Sequence, residues 1–168
     1  MVEIGYALSS EAHAPNDVIR YMRLAEEAGF AFACLTDHYH PWVEQQGPNP
    51  FIWSIIGGIA HATQHLRLVI ALTCPTTRMH PSVIAQAVAT VAAMMPGRCS
   101  LCLEISEYFS ERIWERNGRV PQGRLEMLEE AVRVIRLLWR GGFKVIGAVT
   151  TASRMSGFIH PPKSGQRS

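Results

Sequence analysis

The stretch LTDHYHPW, residues 35–42, places Asp37, His38, His40 and Trp42 directly after an apolar run at 30–34. These side chains suit particular chemistry. An imidazole gains and loses a proton near neutral pH. A carboxylate accepts hydrogen bonds, and an indole offers a flat apolar wall with a single N–H donor. Two readings follow. Asp37 with the His38-x-His40 pair resembles part of a metal site, but a metal centre needs further ligands. The next two strand ends bring no additional His or Asp, so no metal is expected and proton transfer is the better reading.

The residues around this stretch alternate between strand and helix patterns. A short strand is expected at 3–9. A helix at 17–29, entered through Pro15, carries Val18, Met22, Ala25 and Ala28 on one face and ends at Gly29. The continuous apolar run at 30–36 reads as a strand covered on both faces. A helix at 51–63, a strand at 66–73, a helix at 80–95 entered through Pro81, and a strand at 99–105 follow. After a helical segment near 107–116, the strongest helix spans 123–142, with Leu125, Leu128, Ala131, Val132, Ile135 and Leu138 as its apolar face. Residues 143–149 can add a terminal strand, and 150–168 reads as a loose polar tail.

Strands and helices alternating at this length imply an α/β fold with parallel pairing and right-handed crossovers. A full barrel of eight such units takes roughly 200 residues or more. Residues 1–149 therefore suit the N-terminal half of a (β/α)8 TIM barrel, about four units. A Rossmann sheet fits less well, because 9–17 has no G-x-G-x-x-G turn.

Parallel strands deliver their carboxyl ends to one rim, where ligands bind. That rim would collect Ser9, Ser10 and Glu11 after the first strand, and Asp37 and His38 after the second. Thr73, Cys74 and Thr76 follow the third strand, and Ser106 and Glu107 the fourth. A His and a Glu beside one substrate hydroxyl can exchange its proton while a second partner takes a hydride. Plainer readings exist for each residue. His38, His40 and His61 can be hydrogen-bonded structural residues, Asp37 can cap a loop, and Glu107 can sit as a favourable charge at a helix N-terminus.

Composition narrows the class. With 48% hydrophobic and 18% charged residues the chain suits a globular core, and a net charge of +2 offers no footprint for nucleic acid or an acidic membrane. No signal peptide or membrane span is evident, so a cytoplasmic protein acting on a small molecule is expected. Cys99 and Cys102 have C-x-x-C spacing, yet they lie on a strand, where positions three apart face opposite ways. Together with Cys34 and Cys74 they are expected to be buried, reduced and without function.

Three segments carry a resemblance: LTDHYHPW, LTCPTTRMHPSVIAQAVATVAAMMPGR and RLEMLEEAVRVIRLLW. Together they resemble the luciferase-like monooxygenase superfamily, in particular its F420-dependent branch, over about residues 3–141. The resemblance implies a (β/α)8 barrel, commonly dimeric, that moves a hydride between an alcohol or sugar-phosphate-like substrate and the deazaflavin coenzyme F420. FMN is the alternative cofactor. Carried over by position, the resemblance makes Asp37 a cofactor contact and His38 both a cofactor contact and a catalytic proton-transfer residue. Trp42 would help hold the substrate or stabilise the reacting state, Glu107 would be the second acid/base group, and Glu11 would line the same site. Ala71, Leu72 and Cys74 would support the ring face, in part through unusual peptide geometry, and Ile105 and Ser110 would contact the cofactor.

The family pattern breaks where Glu104, Ile105 and Ser106 replace a Gly-rich element, Ser110 replaces an Asn, and the likeness ends after Gly142. A second reading is therefore a catalytically impaired half-barrel or assembly module without cofactor. Its open strand edges would favour a homodimer or other self-association.

Overall fold

The computed structural model describes residues 2–41, 43–47, 49–75, 78–105, 121–142, 144–146 and 155–157. These form two compact units, one drawn from Met1–Thr73 with Met94–Cys102, the other from Cys74–Ala93 with Leu103–Ser168.

The first unit is built on strands β1 (Tyr6–Leu8), β2 (Phe32–Thr36) and β3 (Arg67–Thr73), with β4 (Cys99–Leu103) next to β3. The strand order is β1-β2-β3-β4, and the register pairs Leu8 with Leu35 and Thr36 with Ala71. Pairing is parallel, as the alternation of strands and helices predicts. β2 differs from expectation in one respect. Ala33 and Leu35 are fully buried, but Phe32, Cys34 and Thr36 between them are only half-buried, so one face of the strand is fully covered rather than two.

Helices α1 (Pro15–Glu27) and α2 (Ile52–Ala62) supply the rest of this unit's core. α1 buries Val18, Met22 and Ala25, while α2 buries Ile52, Ile55, Ile56 and Ile59. At Gly58 an added methyl group would run into the end of Ile19, so the two helices approach where α2 has no side chain. α1 ends as its sequence dictates. Gly29 takes a φ of +87°, its N–H bonds Glu26 O (2.9 Å), and the Phe30 N–H bonds Ala25 O (3.1 Å), which completes a Schellman cap.

Glu26, in the last turn of α1, also fixes the turn into β3. Its carboxylate accepts the backbone N–H groups of Gln64 (2.9 Å), His65 (2.5 Å) and Leu66 (2.6 Å). Partial burial alone would raise the Glu26 pKa, but these three donors outweigh it and hold the pKa below the usual value. Glu26→Gln retains one acceptor oxygen for three donors, and is expected to lower stability by about 2 kcal/mol. Urea unfolding at neutral pH measures this. The deficit should shrink as pH falls through the lowered Glu26 pKa, because the contribution is complete above the unfolded carboxylate's pKa and is lost between that value and the folded one.

The second unit contains most of α3 (Pro81–Met94), α4 (Pro121–Trp139) and an antiparallel hairpin of β5 (Lys144–Ile146) with β6 (Met155–Gly157). The segment read as a loose tail thus carries a strand, because a short partner within reach satisfies its backbone. The buried face of α4 is also rotated from the predicted one. Met127, Ala131, Val134, Ile135 and Leu138 are buried, while Leu125 is 41% exposed. The helix has two adjacent apolar ridges, and periodicity alone does not choose between them. The Trp139 indole N–H bonds Ala85 O of α3 at 3.0 Å.

Among the described residues, no helix is long and apolar enough to cross a membrane.

Candidate active site

The parallel register of β1 and β2 sets residues 9–11 beside residues 36–38. After Leu8 the chain makes one 3-10 turn, Ser10–Ala12, which drops Glu11 into the interior at 1% exposure. His38, just past the end of β2, is 5% exposed. The two meet: His38 Nδ1 hydrogen-bonds Glu11 Oε1.

Further donors fix this carboxylate. Ser9 Oγ–H donates to Glu11 Oε2, and Thr36 Oγ1–H lies 3.2 Å from both carboxylate oxygens. Burial pushes the Glu11 pKa up, but the bonds from His38 and Ser9 and the charge of His38 outweigh it and bring the pKa to about 2. An ionised carboxylate only accepts, so His38 Nδ1 carries the proton. Nε2 is then the ring nitrogen at which His38 can exchange a proton.

The backbone beneath is held as firmly. Ser10 Oγ–H is shared between Thr36 O (2.9 Å) and Asn49 Oδ1 (3.1 Å), and Asn49 Nδ2–H donates to His38 O at 2.5 Å. Asp37, 2% exposed, bonds through its own N–H to Ala71 O at 2.8 Å. Its Oδ2 accepts from Thr73 Oγ1–H and from the Trp53 indole N–H, each at 2.9 Å.

The end of β3 is bent. Leu72 has φ +64°, the one non-glycine residue in the left-handed region among those described, and no described peptide bond is cis. Up to Ile70 alternate residues are buried, but Ile70 and Ala71 are buried in succession and Thr73 keeps the new phase. The bend therefore flips the pleat and brings Thr73 to Asp37. A left-handed leucine costs about 1–3 kcal/mol, a strain that clusters at functional sites.

The structure thus brings Glu11, Asp37 and His38 together with the β3 end that contains Ala71 and Leu72. Cys74 is buried and its thiol lies 3.9 Å from Ile105 O, with Ile105 itself 41% exposed. Trp42, Thr76, Ser106, Glu107 and Ser110 lie outside the described residues. His40 is exposed and its Nδ1 bonds Pro41 O at 2.7 Å. No group of three or more His, Cys, Asp or Glu among the described residues is placed to hold a metal ion.

Sequence reasoning passed over Asn49 and Trp53. The first is in an irregular loop and the second in the first turn of an apolar helix, where no spacing rule marks a polar role. A polar-tipped aromatic at the start of a helix that follows a catalytic-looking strand end is the signal that was available for Trp53.

The four cysteines form no disulfide, but they are not uniformly buried as expected. Cys74 is buried, Cys34 and Cys99 are half-buried and Cys102 is exposed, because the β4 face that carries Ser100 and Cys102 is open. Desolvation raises the Cys99 thiol to about 11, and desolvation and then the neighbouring Cys102 raise Cys34. Such thiols are poor nucleophiles. Cys99→Ser is expected to leave any activity of the chain unchanged, and a loss would give that thiol a role.

The chain is similar to known proteins over most of its length. The chain is 35% identical over 141 residues to an F420-dependent glucose-6-phosphate dehydrogenase from Beutenbergia cavernae, covering 84% of this chain and 42% of the relative. It is 32% identical over 138 residues to an F420-dependent hydroxymycolic acid dehydrogenase from Mycobacterium tuberculosis, covering 82% and 38%. The chain therefore spans less than half the length of the curated relatives it matches.

A solved F420-dependent secondary alcohol dehydrogenase, in complex with an F420–acetone adduct, superposes with a TM-score of 0.83 at 27% identity. The superposition covers 96% of this chain and 48% of that one. The fold is thus the partial α/β barrel that the strand order implies. The family model for luciferase-like monooxygenases matches residues 1–167. With the strand order, the shared fold and this match in agreement, the chain belongs to the luciferase-like monooxygenase family.

Proposed function

We propose that this chain carries the proton-transfer part of an F420-dependent oxidoreductase that acts on a secondary alcohol or sugar-phosphate-like substrate. The observation that carries the reading is the buried Glu11–His38 pair at the shared end of β1 and β2. The three relatives support it, each named as an F420-dependent dehydrogenase of a hydroxyl-bearing compound.

The residues present fit the coenzyme. Asp37 offers a fixed carboxylate, His38 an imidazole, and the bent β3 end at Ala71 and Leu72 a backbone edge on the same rim. Of the contacts that the resemblance implies, Asp37, His38, Ala71 and Leu72 would hold it. F420 supplies the two-electron hydride chemistry when bound.

The chain's own residues handle the proton. His38 accepts the proton of the substrate hydroxyl at Nε2, and the resulting imidazolium is stabilised by the Glu11 carboxylate against Nδ1. Because both its oxygens are taken up by His38, Ser9 and Thr36, Glu11 acts through His38 as a positioning residue. By resemblance, Glu107 is the second acid/base group and Trp42 holds the substrate.

Four cysteines outside disulfides fit a reducing compartment, and the cytoplasm is the proposed place of action. β1 and β4 form the edges of the sheet, which supports self-association as a homodimer, measurable by light scattering.

Titration with coenzyme F420 tests the reading. Saturable quenching of tryptophan fluorescence and a raised thermal midpoint are expected. No change in either removes it and leaves the non-catalytic half-barrel. Saturation by FMN and not by F420 assigns a flavin enzyme instead.

A further inference from the structure

Asp37 is pinned by three elements at once. It follows β2, its backbone N–H bonds Ala71 O of β3, and its side chain is met by the last residue of β3 and by the first turn of α2. The two side-chain donors, Thr73 Oγ1–H and Trp53 Nε1–H, converge on one oxygen, Oδ2, each at 2.9 Å. A lone carboxylate at a loop start rotates about two bonds. Two donors on one oxygen, from residues 16 and 36 positions away in the chain, fix both rotations. An indole nitrogen can only donate, so Trp53 cannot exchange this role for an acceptor's.

We infer that Trp53 and Thr73 are positioning residues, which set the orientation of the Asp37 carboxylate through Oδ2 for contact with the cofactor. The inference rests on the function proposed above, and extends it to two residues outside the family motif at 35–42. Thr73 reaches Asp37 because Leu72 bends the strand end, so the strained backbone and the carboxylate lock are parts of one arrangement.

The test uses Trp53→Phe and Thr73→Val, which remove the donors and keep the packing, in the wild-type and Asp37→Asn backgrounds. Without ligand, the 15N-labelled indole N–H of Trp53 is expected to resonate away from its free position and to exchange slowly with solvent. Both features should weaken in Asp37→Asn. An indole signal identical in the two proteins overturns the lock.

With coenzyme F420, each donor variant should weaken binding about tenfold in the wild-type background. In Asp37→Asn, where the charge is gone, the effect should shrink to about twofold. An equal loss in both backgrounds means that the residues do not act through Asp37, and overturns the inference. If the wild-type protein binds no F420, the proposed function fails by that result, and the cofactor part of the inference falls with it. The ligand-free indole signal still decides whether the lock exists.

Discussion

Under the proposed function, His38→Ala is expected to lower F420-dependent alcohol oxidation by roughly 10²–10⁴-fold, the range for removing a positioned acid or base. The size of the effect follows from the geometry. Glu11 engages Nδ1, so in the proposed mechanism proton exchange with substrate runs through Nε2 of a ring held at its other nitrogen. A ring so held has already lost the rotational freedom that would otherwise be lost in the transition state. The loss should appear in kcat, and added imidazole should restore part of it, since a free base can enter the vacated space. Wild-type kcat in His38→Ala would remove this residue from the chemistry.

The second large effect is on stability. Glu11→Ala leaves a buried imidazole without its carboxylate, and is expected to cost about 3–5 kcal/mol. For a chain of this length that lowers the thermal midpoint by roughly 10 °C. The pH dependence has a definite sign. The folded pKa of Glu11 is about 2 against an ordinary 4.5, so the folded state favours the ionised form. The contribution is present in full above 4.5 and is lost as pH falls through the folded value. Urea unfolding of wild type and Glu11→Gln should therefore converge as the pH is lowered toward 2. A gap that stays constant with pH would place the Glu11 contribution outside its ionisation.

Much of this arrangement was legible in the sequence. Alternating strand and helix patterns gave the parallel order, and a parallel order sends Glu11, Asp37 and His38 to one rim whatever the details. Contacts that depend on atomic register were not legible. Glu11 touches His38 because a 3-10 turn follows β1, a turn that SEA at 10–12 does not announce. Thr73 reaches Asp37 because Leu72 adopts a backbone conformation that leucine rarely takes.

Burial was misread where two answers satisfy the same pattern. α4 has two apolar ridges, and an apolar β2 run fits a strand covered on one face or on both. Cys102 is apolar enough for a core, yet lies on an open strand face.

The most direct measurement is the protonation of the His38 ring in the ligand-free protein, read by 15N NMR at neutral pH. A proton on Nδ1, shifted far downfield by the Glu11 carboxylate and returning upfield in Glu11→Gln, is the expected result. A His38 ring protonated on Nε2 alone, with Nδ1 bare, would contradict the pairing from which the proposed chemistry is built.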